Sequence, residues 1–183
     1  MTRPLPATDR LLLREMGPDD LSSLTAIMGD AETMTAYEGP FDATEIATWL
    51  ARSQQRYADD GFALWAVTLR ETGEMIGQCG PTRQLIDGRS MVEIGYLFDR
   101  RWWHRGFALE AARACRDWAF RNLPVDVVCS KIRDTNLASM NVAIRNGMSV
   151  RQRTVTHYRG VDMPHLVFEI TRDEWMLQLR PDP

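Results

Sequence analysis

The spacing of apolar positions along the chain changes several times, and each change marks an element. Leu11-Leu12-Leu13-Arg14-Glu15 reads as a short strand. Gly17-Pro18-Asp19-Asp20 opens a helix with acids at its positive end, and Leu21, Leu24, Ile27 and Met28 form its apolar stripe. A second helix is predicted from Asp42, where Glu45 three residues on completes a capping-box pattern. Ile46, Trp49, Leu50 and Tyr57 share one of its faces, and Asp60-Gly61 stops it. Strand patterns follow over residues 62–69, 75–79 and 91–98, with Thr72-Gly73 and Asp87-Gly88 as turns. These three strands make an antiparallel meander.

The helical period then returns over residues 108–121, where Ala111, Ala112, Cys115, Trp118 and Ala119 lie on one side. A strand over 125–132 and a helix over 136–146, closed by Gly147, come next. Two strands, 148–158 and 161–171, are joined by Arg159-Gly160, and a short helix covers 172–179. The order predicts a mixed α/β (α+β) fold. The crossover from residue 98 through a helix to residue 125 predicts a parallel pair. One domain is expected over residues 8–176, with loose termini at 1–7 and 177–183.

With 183 residues, 44% hydrophobic and 26% charged, the chain can close a core, and disorder is a poor reading. No apolar run approaches the ~18–20 residues of a membrane helix, and residues 1–14 lack the apolar stretch of a secretory signal. A soluble cytoplasmic chain without a membrane partner is the expectation. Cys79, Cys115 and Cys129 form no CxxC pair, and His104, His157 and His165 form no HExxH-like group, so no metal is expected. A net charge of −3 argues against nucleic acid as a partner. Residues 1–60 carry five Arg against eleven Asp or Glu, whereas residues 99–116 carry five Arg against Asp99 and Glu110. Such an uneven field draws cations to one side and phosphates to the other. Lys131 is the only lysine beside 21 arginines, which reads as composition bias.

The chemistry concentrates in Val92-Glu93-Ile94-Gly95-Tyr96-Leu97-Phe98, then Asp99 to Arg101, then Trp102-Trp103-His104-Arg105-Gly106-Phe107-Ala108. A strand runs into a glycine-bearing loop that opens a helix, whose free N–H groups suit a pyrophosphate, although one glycine taken alone fits a plain helix start equally well. Arg100, Arg101 and Arg105 add positive charge. No GK[ST] follows, so this is not a Walker loop, and GxGxxG is missing.

In order along the chain, Thr8-Asp9-Arg10-Leu11, Ile76-Gly77-Gln78-Cys79-Gly80, Glu93-Ile94-Gly95-Tyr96, Trp103 to Ala111, Asn136-Leu137-Ala138-Ser139 before Gly147-Met148, and Thr171-Arg172-Asp173-Glu174-Trp175 resemble the GNAT N-acetyltransferase superfamily. Within it, the sequence is similar to the ribosomal-protein N-terminal acetyltransferases. The resemblance implies a mostly antiparallel sheet of about seven strands flanked by four main helices. Its fourth and fifth strands splay into a V that holds acetyl-CoA. It places the pyrophosphate loop at Trp103, His104, Arg105, Gly106, Phe107 and Ala108, with Trp103 in place of Gln or Arg and His104 where glycine is common. Leu97, Phe98, Asn136 and Ser139 match the positions along the pantetheine arm.

The implied reaction is direct attack of a primary amine on the thioester. Glu93, which interrupts an apolar strand, is the candidate base; a structural Glu on a half-exposed face is an equal alternative. The tyrosine that many members use as general acid is replaced by Ala143, and Ser139 is the candidate substitute, although a helix-start Ser that bonds to backbone or cofactor without catalysis is the somewhat favoured alternative. Tyr37, Phe41, Trp49 and Trp65 are candidate walls of the acceptor pocket, although aromatic residues at such spacing are more often core. The acceptor is a protein N-terminus or a small amine, and the −6 balance of residues 1–60 predicts a preference for cationic ones. A homodimer stays open. The competing class is a non-enzymatic acyl-CoA sensor or interaction module on the same fold.

Overall fold

A computed structural model of the chain describes residues 3–179. The elements run β1 (Leu11–Arg14), α1 (Leu21–Met28), α2 (Ala43–Asp60), β2 (Trp65–Leu69), β3 (Met75–Ile86), β4 (Arg89–Phe98), α3 (Phe107–Asn122), β5 (Val127–Arg133), α4 (Leu137–Arg145), β6 (Ser149–Tyr158), β7 (Val161–Thr171) and α5 (Arg172–Gln178). The seven strands form one sheet in the order β1-β2-β3-β4-β5-β7-β6. Every neighbouring pair is antiparallel except β4 and β5.

Alternation along each strand divides the core into two layers. Val92, Ile94 and Phe98 of β4 and Val128 and Ile132 of β5 face α3, where Ala111, Cys115 and Trp118 meet them. On the other face, Leu24, Ile27 and Met28 of α1 and Ile46 and Leu50 of α2 pack over Leu64, Ala66 and Met75. The capping box expected at Asp42 and Glu45 is present, with Glu45 N–H donating to Asp42 at 2.8 Å.

The β4–β5 ladder positions the site. It consists of Val92 opposite Val128 and Glu93 opposite Cys129, and then it ends. Beyond that point β4 stays on β3 as far as Phe98 opposite Gly77. β5 stays on β7 as far as Arg133 opposite His165. Each strand is therefore held by its outer neighbour while the two inner edges separate, which is the splayed V that the resemblance implies.

Two expectations change. β3 continues seven residues past Cys79, through Pro81 to Ile86. Pro81 is tolerated because β2 begins at Trp65, opposite Cys79, so β3 has no partner on that side beyond this point. Nor is the whole N-terminal stretch loose. The indole N–H of Trp118 donates to the Pro4 carbonyl at 2.8 Å, and Leu13 N–H donates to the Pro6 carbonyl at 3.1 Å. At the other end α5 runs to Gln178, whose side chain accepts from Arg116 at 3.0 Å. Residues 1–2 and 180–183 of the expected loose ends lie outside the described residues.

Candidate active site

At the fork, Ser130 Oγ donates to the Ile94 carbonyl at 2.8 Å, and the Lys131 N–H donates to Glu93 Oε1 at 3.3 Å. Strand alternation turns the main-chain groups of Ile94, Tyr96 and Phe98 toward the gap. Ser130 occupies the first of these carbonyls. The indole N–H of Trp103 occupies the Phe98 carbonyl at 2.8 Å. Trp103 thus folds back onto the strand end, where a Gln or Arg would reach outward. Tyr96 is left as the open main-chain position on this edge.

One cavity, of about 610 Å³, lies on the α3–α4 side of the gap and is bounded by Leu97, Phe98, Trp103, Phe107, Asn136 and Ser139. Side chains cap α2, α4 and α5 through Asp42, Asn136 and Thr171, but α3 has no side-chain cap. Its N-cap is Gly106, at φ +81°, so the N–H groups of Phe107, Ala108 and Leu109 face outward without a competitor. His104 also adopts a left-handed conformation, φ +60°, which explains why glycine is common there in the resembling family. The loop is braced from β1. Arg10 donates to Glu110 at 2.7 Å and to the Arg105 carbonyl at 3.1 Å, and its guanidinium lies 4.3 Å above the Phe107 ring. Thr8 donates to the same Glu110. This gives a reason for Thr8 and Arg10 in the motif. Arg105 itself rests 4.8 Å over the Trp102 ring. On the facing helix, Asn136 Oδ1 accepts the Ser139 N–H at 3.1 Å. That leaves the Asn136 amide nitrogen and the Ser139 hydroxyl without a partner among the described residues.

A second cavity, also about 610 Å³, opens on the α1–α2 side. Tyr37, Phe41 and Trp49 line it as a mutual edge-to-face trio, with ring centroids 5.9, 5.9 and 6.2 Å apart. The Trp49 indole is fixed by Gln78 Oε1 at 2.9 Å, a role that sequence reasoning did not assign to Gln78. Arg159, at the β6–β7 turn, pairs with Glu45 of α2 and lies 5.3 Å over Phe41, and these two partners line the cavity. The two cavities meet at Tyr96, Leu97, Asn136 and Ser139. Glu93 borders the α1–α2 cavity.

Trp65 does not belong to this wall. It is fully buried on the α3 face, with its ring 4.9 Å from that of Trp118. Its neighbours in sequence, Leu64 and Ala66, face α1 and α2 instead, so alternation turns Trp65 away from the acceptor side.

Burial pushes the Glu93 carboxyl above its ordinary value, and the Lys131 charge, the Lys131 N–H and the Arg56 charge partly offset that push. Burial, with Glu93 and Tyr158 adding to it, raises the Tyr37 phenol to about 12, so Tyr37 stays neutral. Burial lowers His165. Ala143 is fully buried in the core, and no hydroxyl occupies the position of the family's usual acid. The Tyr96 hydroxyl is engaged with the Ser139 carbonyl at 2.7 Å.

The uneven field expected from the sequence is partly cancelled. Asp20 pairs with Arg14, Asp30 and Glu32 with Arg100, Glu38 with Arg133, Glu45 with Arg159 and Asp60 with Arg83. Arg100 of the loop spends its charge on the acids of the opposite side, a pairing that net charge per segment does not reveal.

A forked α/β sheet with an uncapped helix at one cavity and an inward carboxylate at the other defines a class of acyl-transferring folds. Residues 10–149 match the family described as "Acetyltransferase (GNAT) domain", and the chain belongs to it. It is a GNAT-type N-acetyltransferase. It is 38% identical to the uncharacterized protein YkkB of Bacillus subtilis, over 77% of this chain and 83% of that one. It is 31% identical to the uncharacterized N-acetyltransferase p20 of Bacillus licheniformis, over 74% of this chain and 76% of that one. The crystal structure of an acetyltransferase from Agrobacterium tumefaciens superposes with a TM-score of 0.78 at 28% identity, covering 94% of this chain and 96% of that one. Among the described residues no helix is long and apolar enough to cross a membrane.

Proposed function

We propose that the chain moves an acetyl group from acetyl-CoA to a primary amine by direct attack. The observation that carries this reading is the meeting of the two cavities at the fork, with Glu93 beside it. Acetyl-CoA supplies the thioester. The residues of the α3–α4 cavity fit it. The open N–H groups of Phe107, Ala108 and Leu109 match a diphosphate. The unpartnered Asn136 amide, Ser139 hydroxyl and Tyr96 main chain match an amide-bearing arm.

An alkylamine arrives protonated at neutral pH, because its ordinary pKa is about 10. Glu93 takes that proton, directly or through water, and the freed lone pair attacks the carbonyl carbon. The C–N bond forms and the C–S bond breaks. The Tyr96 N–H, facing the gap, offers a donor to the oxygen as it gains charge. The Ser139 hydroxyl offers one to the departing sulfur, in place of the tyrosine that Ala143 removes.

The aromatic trio, with the Arg159–Glu45 pair beside it, favours a small-molecule amine. A protein N-terminus, the reading that the sequence resemblance suggests, is the second candidate. Thiol release from acetyl-CoA with small amines and with short peptides tests both. CoA binding with no release from any amine would replace both with a non-enzymatic acyl-CoA sensor.

A further inference from the structure

We propose that the acceptor is an amine that carries a carboxylate close to its nitrogen, an amino-acid-like zwitterion, with Lys131 as the residue that reads the carboxylate. This rests on the transferase reading above and narrows its substrate class.

The starting point is charge pairing inside the acceptor cavity. Arg52, Lys131, Arg133, Glu45 and Glu93 are the Arg, Lys and Glu residues that line it. Arg133 is paired with Glu38 and Glu45 with Arg159. What remains is one carboxylate, Glu93, and two cations, Lys131 and Arg52, neither of which has an ion pair among the described residues. The Lys131 ammonium has a single weak contact, with Thr156 Oγ1 at 3.3 Å. Glu93 offsets only one of these two charges, so the cavity keeps a surplus positive charge that an anionic group would balance. A polyamine would bring further positive charge to this surplus.

Position adds the second half. Glu93 stands opposite Cys129 in the last ladder pair, and Lys131 is two residues further along β5 on the same face. The Lys131 N–H donates to Glu93 Oε1 at 3.3 Å, so the two residues are neighbours at the start of the gap. A carboxylate and an ammonium set side by side match the opposite charges of a zwitterion. The amine faces Glu93, which needs it for proton transfer, and the carboxylate faces Lys131, with the exposed Arg52 also on the cavity wall. The substituent on the intervening carbon then meets Tyr37, Phe41 and Trp49, which suits an apolar or aromatic group.

Lys131 is also the only lysine in a chain with 21 arginines. An arginine fork at this place would be larger and would bind a carboxylate from two sides, whereas lysine offers a compact point charge. Composition bias accounts for the arginines and leaves the one exception, inside the acceptor cavity, to be explained by its role.

Three matched probes test this: phenylalanine, phenylalaninamide and 2-phenylethylamine, with acetyl-CoA, reading thiol release. Phenylalanine should exceed both in kcat/KM by at least about tenfold, the scale of one charge-assisted hydrogen bond. In Lys131→Met the acid-to-amide ratio should collapse toward one, and Lys131→Arg should keep part of it. Faster transfer to the amide or the plain amine would overturn the proposal and leave the transferase reading standing. If no probe releases thiol, calorimetry on the CoA-loaded protein decides. Selective binding of phenylalanine would uphold the acceptor class while the transferase reading fails, and equal affinity for all three would overturn the proposal.

Discussion

The hydroxyl of Ser130 donates to the carbonyl of Ile94 at 2.8 Å, one residue beyond the last ladder pair of β4 and β5. A side chain takes over where the backbone ladder stops, and Ser130 is nearly fully buried. Ser130→Ala would leave a buried carbonyl unsatisfied, at a cost of about 1–3 kcal/mol. A chain of this size loses about 2–4 °C in Tm per kcal/mol. Thermal unfolding should therefore show a drop of several degrees. An unchanged Tm would mean that the fork is held elsewhere.

Glu93→Gln should lower kcat at neutral pH by about 10²–10⁴. The rate should partly recover at high pH, where the amine loses its proton unaided. A mutant-to-wild-type ratio that stays flat across pH would remove Glu93 from the role of base.

The same substitution has an opposite consequence for stability. The folded-state pKa of Glu93 lies above its unfolded value, so the folded protein holds this proton more tightly. The resulting stabilisation is present at pH below the ordinary Glu value and is lost as pH rises through the raised one. At neutral pH the charged carboxylate is a burden on the fold, and Glu93→Gln should raise Tm there. A lower Tm at neutral pH would count against the direction of the shift.

Gly106→Glu should abolish CoA binding while the fold survives. A side chain at φ +81° is strained, and a negative charge would repel a diphosphate at the N–H groups it needs. Calorimetry with CoA is the measurement, and affinity within threefold of wild type would sink the assignment of the loop.

His104→Gly should raise stability by up to about 1 kcal/mol, because it relieves a left-handed conformation in a residue with a Cβ. A lower Tm would show that the exposed imidazole contributes more than the strain costs.

Local pattern made most of the fold legible: Asp42 with Glu45, Gly61, Gly106 and Gly147 announce element ends through their own chemistry. The parallel pairing of β4 and β5 follows from a crossover. Pro81 hid the far half of β3, because the sequence does not say that β2 begins only opposite Cys79 and leaves that side of Pro81 unpaired. For the site, loop and fork were legible as an ordered motif. Trp65 was misread because its face depends on alternation within a strand whose start was placed three residues early. The roles of Gln78 and Arg100 could not be read, since each acts on a residue distant in sequence. Lys131 had a signal in its rarity, but rarity acquires meaning only once the cavity is known.

The gap between β4 and β5 has a thermodynamic consequence beyond catalysis. A sheet interrupted in its middle forgoes main-chain pairing that an unbroken ladder would have, and an extended ligand arm lying along Tyr96 acts as the missing strand. Ligand that binds only the folded chain shifts folding by mass action, by about 2.7 kcal/mol at a hundredfold excess over Kd. The protein's resistance to unfolding should therefore rise with the concentration of the acyl carrier, so that its persistence is tied to the supply of the compound it consumes.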